Sequence, residues 1–144
     1  MTDESASASL VVRRTIPVPR EEVFAAWLDP ETLPTWMCPG GGRTTAQLDP
    51  KVGGSFRIVM QHESEATEHT GTYLVIEPPS RLSFTWISTY TDMLPSVVTV
   101  EFHARGDGTE IILTHERLPA RHVEAHKKGW GDILSRLEEA VRRN

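Results

Sequence analysis

Between Arg43 and Glu116 the chain repeats one device: runs of alternating apolar and polar residues, cut by turns that carry glycine or proline. A period of two places successive side chains on opposite faces of a strand, so each run offers one face to a core. Strands are expected over 43–48, 55–62, 70–77, 81–89, 96–104 and 110–116. The breaks are Pro50-Lys51-Val52-Gly53-Gly54, a polar tip over 63–68, Pro78-Pro79, and Arg105-Gly106-Asp107-Gly108, the last a strong hairpin signal. After Pro119 the period changes. Val123, Lys127, Trp130, Leu134, Leu137 and Val141 recur every three to four residues, which describes an amphipathic helix over 119–142. Consecutive antiparallel strands followed by a terminal helix give an α+β order rather than βαβ. Such a sheet must hide one face, and the long last helix is the element to cover it.

Upstream, 9–16 reads as a β-branched strand ended by Pro17 and Pro19. Pro19 with Glu21 and Glu22 opens a helix, since proline suits the first turn and acids suit the positive end of the helix dipole. Val23, Phe24 and Trp27 share a face of it. Asp29-Pro30 stops it, and a short second helix is expected over 31–36. The run Cys38-Pro39-Gly40-Gly41-Gly42 is a loop. It lacks the lysine and following helix of a phosphate-binding loop, so it reads as a connector near a pocket mouth. Gly129 and Gly131 inside the last helix each cost about 1 kcal/mol against alanine. Close packing of the helix on the sheet around Trp130 is the expected compensation.

The 144 residues suit one domain, expected over 9–144 behind a flexible tail at 1–8. A net charge of −5 argues against nucleic acid as a partner. No apolar run is long enough to span a bilayer, and the acidic, small N-terminus is not a signal peptide. The lone Cys38 excludes an internal disulfide, and together these features point to the cytoplasm.

Alternation assigns the inward residues. Phe56, Ile58 and Met60 share a face; Tyr73 and Val75 fit it on the next strand, Phe84 and Trp86 on the one after, then Val98, Val100 and Phe102, and finally Ile111, Leu113 and His115. Val100, Phe102 and Leu113 are expected as plain core. Trp36, Phe56, Ile58, Met60, Tyr73, Phe84, Trp86, His115, His126 and Trp130 are the candidates to line a ligand pocket, because Trp and Met make adaptable apolar contacts. His122 and His126 lie four apart, but His-Val-Glu-Ala-His is not a zinc-protease motif and offers no third ligand; neither a metal nor another cofactor is expected. His115, His126 and Tyr73 form the one candidate catalytic group, able to polarise a ligand carbonyl.

The chain resembles the START-like (SRPBCC) superfamily, and within it homologues of the C-terminal domain of the heat-shock-protein ATPase activator. The resemblance rests on Ile16-Pro17-Val18-Pro19 with Glu22-Val23-Phe24-Ala25-Ala26-Trp27, on Trp36 before the glycine loop, on Val52-Gly53-Gly54-Ser55-Phe56-Arg57 and on Gly71-Thr72-Tyr73. It continues through Pro78-Pro79-Ser80-Arg81-Leu82-Ser83-Phe84-Thr85-Trp86, Thr109-Glu110-Ile111, His115-Glu116 and Gly129-Trp130. It implies a helix-grip fold in the order β-α-α-β(6)-α, with a cavity between the sheet and the long helix. It also implies a small apolar molecule as the partner of a non-enzymatic carrier or sensor. The alternatives it leaves are a cyclase, dehydratase or hydrolase using His115, His126 and Tyr73, and a co-chaperone-like stress-response domain with a chaperone as partner. A homodimer fits any of these and is not read from particular residues.

Overall fold

The computed structural model describes residues 7–143. Strand β1 (Ser7–Ile16) is followed by two short helices, α1 (Arg20–Ala25) and α2 (Leu33–Trp36). Six strands come next: β2 (Arg43–Leu48), β3 (Ser55–Gln61), β4 (Ala66–Glu77), β5 (Arg81–Trp86), β6 (Ser96–Arg105) and β7 (Gly108–Pro119). A 3-10 turn, Thr89–Thr91, lies between β5 and β6, and another, Ala120–His122, leads into α3 (Val123–Arg142). The sheet runs β1-β7-β6-β5-β4-β3-β2 with every neighbour antiparallel, so the N-terminal strand pairs with the last one. This is the α+β helix-grip order that the sequence implies.

Several boundaries move. β1 starts at Ser7, ahead of the expected 9; the expected tail otherwise falls on residues 1–6, outside the described part. α2 starts at Leu33, because the Asp29 carboxylate occupies the preceding residues, accepting from the Glu31 amide at 2.9 Å and the Thr32 hydroxyl at 2.7 Å. β4 starts at Ala66, within what reads as a polar tip, since its inward residues there are Thr67 and His69 rather than aliphatics. β5 stops at Trp86, and β7 extends to Pro119 through a bulge at Arg117, whose φ is +61°. A second irregularity at Leu74 moves the register, pairing Val75 with Ser83 and Ile76 with Leu82. Ile76 therefore packs on the core in place of the expected Val75, because the extra residue reverses the alternation beyond it.

The core lies between the inward sheet face and α3. Phe56, Ile58, Met60, Tyr73, Leu82, Phe84, Trp86, Val98, Val100, Phe102, Ile111 and Leu113 are buried on the strands; Trp130, Ile133, Leu134, Leu137 and Val141 meet them from α3. α1 and α2 add Val23, Phe24, Leu33 and Trp36, with Phe24 edge-on to Phe102 at 5.1 Å. Gly71 belongs to this packing. A Cβ there would stand 2.0 Å from the Thr85 carbonyl oxygen and 2.5 Å from the Phe56 ring, so only glycine lets Phe56 lie across β4. On the outer face Arg57 pairs with Glu68 of the neighbouring strand.

α3 is held by its stripe rather than by propensity. Fully burying Leu134 and Leu137 contributes about 1.5–3 kcal/mol each, against about 2 kcal/mol lost to the two glycines together. The expected reason for those glycines is not met. A Cβ at Gly129 or Gly131 would find nothing within 4 Å, so neither residue permits a close approach of backbone or side chain.

Candidate functional site

Where the first half of α3 passes over β3, β4 and β5, the packing opens into a cleft of about 560 Å³. Its apolar wall is Met60, Trp86, Trp130 and Ile133. His69 and His126 bring the imidazoles, and Gly129 contributes bare backbone where any other residue of α3 would bring a side chain. The rim is polar: Glu65, Tyr90, Lys128 and Asp132 stand there with Pro39 and Gly40 of the glycine loop. The Tyr90 hydroxyl donates to Glu65 at 2.7 Å. The loop is tied to the helix by the Gly40 amide, which donates to Asp132 Oδ2 at 2.8 Å; Arg136 Nε donates to the same oxygen at 2.9 Å. These two donors hold the Asp132 carboxyl below its ordinary pKa, the Arg136 bond contributing most.

Of the ten candidates, Met60, Trp86, His126 and Trp130 line this cleft. Phe56, Ile58, Tyr73 and Phe84 pack around a chink of only about 10 Å³ deeper in the core. Trp36 is fully buried against Trp27, ring centroids 4.8 Å apart, and lines neither space. His115 lies behind the cleft wall. Trp130 Nε1 donates to its Nδ1 at 2.9 Å, and its Nε2 meets Ser96 Oγ at 2.7 Å. An indole nitrogen only donates, so Nδ1 accepts and the neutral ring carries its proton on Nε2. Ser96 then accepts from His115 and donates its hydroxyl to the Trp86 carbonyl at 2.6 Å. A ladder of hydrogen bonds thus runs from the Trp130 indole to the Trp86 backbone. Burial, with His126 nearby, pushes His115 down to about 3.

The catalytic trio does not converge. His126 is edge-on to His115 at 5.1 Å, but Tyr73 packs on Phe56 and Phe84, on a strand three places from β7. That is roughly 14 Å along the sheet. Burial raises the Tyr73 hydroxyl to about 12, with Asp49 adding to the shift. His126 Nδ1 donates to the His122 carbonyl at 2.9 Å, which leaves its Nε2 as the accepting nitrogen. Burial lowers the His126 pKa as well.

His69 and Ile133 line the inner cleft and are residues that sequence reading missed, His69 being the polar one. Counting back by twos from Tyr73 passes Gly71 and reaches His69 and Thr67, so the signal existed; the charged residues around it made the stretch read as a tip. Its ring stacks on Trp86, centroids 4.6 Å apart and planes 28° from parallel. Burial drives its pKa down to about 4, against a counteracting Ile58 carbonyl. Its Nδ1 is enclosed and has no hydrogen-bond partner.

Another hollow, of about 580 Å³, lies among Gln47, Asp49, Arg57, Thr70 and Thr72 and includes none of the ten candidates except Phe56. Among the described residues no helix is long and apolar enough to cross a membrane, and no three His, Cys, Asp or Glu residues are placed to share a metal ion.

A family model described as Activator of Hsp90 ATPase homolog 1-like protein matches residues 17–142. Among solved structures, protein NE0264 from Nitrosomonas europaea superposes with a TM-score of 0.80 at 22% identity, over 99% of this chain and 97% of its own. Protein CV1439 from Chromobacterium violaceum gives 0.81 at 22% identity, over 94% and 98%. Protein MLL2253 from Mesorhizobium loti gives 0.81 at 25% identity, over 95% and 98%. No curated protein matches the chain. These likenesses establish the fold.

Proposed function

The chain belongs to the Activator of Hsp90 ATPase homolog 1-like family, of the START-like (SRPBCC) superfamily, and from that premise we propose that it binds a small, largely apolar molecule in the cleft beneath α3, as a non-enzymatic carrier or sensor. One observation carries the reading: a volume of about 560 Å³ walled by Met60, Trp86, Trp130 and Ile133. Small-molecule sites span roughly 300–1,000 Å³ and are mostly apolar with a few placed polar groups. Trp86 and Trp130, 5.3 Å apart at an angle of 52°, offer a corner of two aromatic faces. The Trp130 indole is fixed from behind by His115, which is itself held by Ser96, and this favours a pre-formed site over one that must be ordered on binding.

A catalytic reading has less support. It rests on three residues, of which His126 alone lines the cleft. His115 has both nitrogens engaged, and Tyr73 is packed elsewhere.

Displacement of 1-anilinonaphthalene-8-sulfonate by a panel of small hydrophobes tests the proposal, with Gly129→Phe as the blocking variant. Wild type takes up the dye and releases it to competitors, and folded Gly129→Phe does neither. Folded Trp86→Ala and Trp130→Ala proteins that bind the whole panel as wild type does would sink it.

A further inference from the structure

Three successive residues of α3 border the cleft and differ in kind: Lys128 is exposed, Gly129 has no side chain, and Trp130 is buried. At about 3.6 residues per turn, with Gly129 central, Trp130, His126 and Ile133 fall to one side of the cleft-lining face and Lys128, Ala125 and Asp132 to the other. On the first side Trp130 and Ile133 are buried; on the second Lys128 and Ala125 are exposed. One helix face therefore gives the cleft both an apolar interior and a charged mouth. A Cβ at Gly129 would meet nothing within 4 Å, so no contact inside the protein accounts for the glycine. What it leaves is room to lie against the helix between the two sides.

The charges at the mouth are not equally engaged. Asp132 accepts from the Gly40 amide and from Arg136. Glu65, which belongs to the β3–β4 hairpin, accepts from Tyr90. The ion pairs of α3 join Asp132 to Arg136 and Glu138 to Arg14 and Arg142, and Lys128 has none among the described residues. Deeper in, His69 and His126 bring no positive charge at pH 7, because burial disfavours their cations. Lys128 is the one lysine or arginine among the described residues that borders the cleft, and its charge is unused.

We propose, building on the ligand-binding reading above, that the cleft takes an amphipathic anion: a carboxylic acid whose apolar body lies over Gly129 against Trp86 and Trp130 and whose carboxylate stays at the mouth beside Lys128. The apolar body follows from the wall. The single negative charge follows from the single unpaired lysine. The position of the head follows from exposure: an ammonium on a flexible stem keeps its water and meets a carboxylate that keeps part of its own. Glu65 stands on the strand side and repels an anion there, which directs the head to the helix side.

Calorimetric titration with octanoate, 1-octanol and octylammonium at low salt tests this on the whole protein. The three carry chains of one kind and differ in the charge of the head. Wild type binds octanoate about tenfold tighter than octylammonium, with octanol between, since an exposed charge contact changes affinity by a factor of a few in either direction. High salt narrows that spread. Lys128→Gln, at an exposed position that the fold does not need, loses the preference for octanoate. Equal binding of the three by wild type, tighter binding of octylammonium, or an octanoate preference that survives Lys128→Gln or high salt overturns the inference and leaves the apolar cleft standing. Undiminished binding of octanoate by folded Gly129→Phe overturns it too, because the chain then lies elsewhere. No binding of any of the three overturns the cleft reading and this one with it.

Discussion

Trp130 donates its indole proton to Nδ1 of His115 at 2.9 Å, and because indole nitrogen has no lone pair to offer, that single bond sets the tautomer of the histidine behind the cleft. The helix is therefore stitched to β7 by a polar bond within an otherwise apolar contact, at the point where the cleft wall must stay put.

Replacing Trp130 by phenylalanine keeps a ring and removes the donor. His115 Nδ1 is then buried without a partner, at a cost of about 1–3 kcal/mol. Chemical denaturation of the two proteins measures it. A change below about 0.5 kcal/mol, the scale of an ordinary surface substitution, would mean the ladder contributes nothing.

Acid acts on the buried histidines, His115 of that ladder among them. His69 and His115 have folded pKa values near 4 and 3, lowered mainly by burial from an ordinary 6.5. Folded, each binds fewer protons than unfolded below pH 6.5. Stability is whole above that value and declines as pH falls, until the folded ring itself titrates near 4 for His69 and near 3 for His115. Each histidine removes on the order of 2 kcal/mol between pH 7 and pH 5. His126, shifted the same way, adds to the loss. Denaturant midpoints at pH 7, 6 and 5 should fall steadily; a flat profile would contradict the burial of these rings.

Gly129 separates stability from binding. Its added Cβ meets nothing, so Gly129→Ala should stabilise by up to about 1 kcal/mol through helix propensity. Gly131→Ala should do likewise without touching the cleft. Gly129→Leu should fold and bind poorly, because the side chain enters the volume the glycine leaves. Thermal melts together with dye titration check all three, and undiminished binding by Gly129→Leu would show that the mouth lies elsewhere.

Asp132→Ala frees the Gly40 amide. The bond is exposed, so the loss of stability should stay within about 1 kcal/mol. The local effect is larger: hydrogen exchange at Gly40 should quicken while exchange in the strands is unchanged. An unaltered Gly40 rate would mean that other contacts hold the loop.

Much of the fold is legible in the chain. The strand Arg43–Leu48 falls where alternation puts it, and the helix stripe Trp130, Leu134, Leu137 and Val141 is buried as its spacing requires. The site is less legible, for three separate reasons. The inward residues at the start of β4 are polar, so Thr67 hides inside a stretch that looks like a solvated tip and His69 at its edge. The irregularity at Leu74 reverses alternation, which no local pattern in Val75-Ile76 announces. The third reason is that periodicity says which side chains point inward but not which meet empty volume. Trp36 and Trp86 are equally aromatic and equally buried, and only the second borders the cleft.

The pairing of β1 with β7 brings Leu10 beside His115, roughly a hundred residues further along the chain. Closing a loop of that size costs about 4 kcal/mol of chain entropy before any contact repays it. The first strand must wait for the last, and α3, which rests on both the sheet and the Asp132–Gly40 tie, comes later still in sequence. During synthesis the aromatic wall therefore stands uncovered until Val123–Arg142 has been made. That interval, rather than the finished protein, is when this chain is most exposed to misassociation and most in need of a helper.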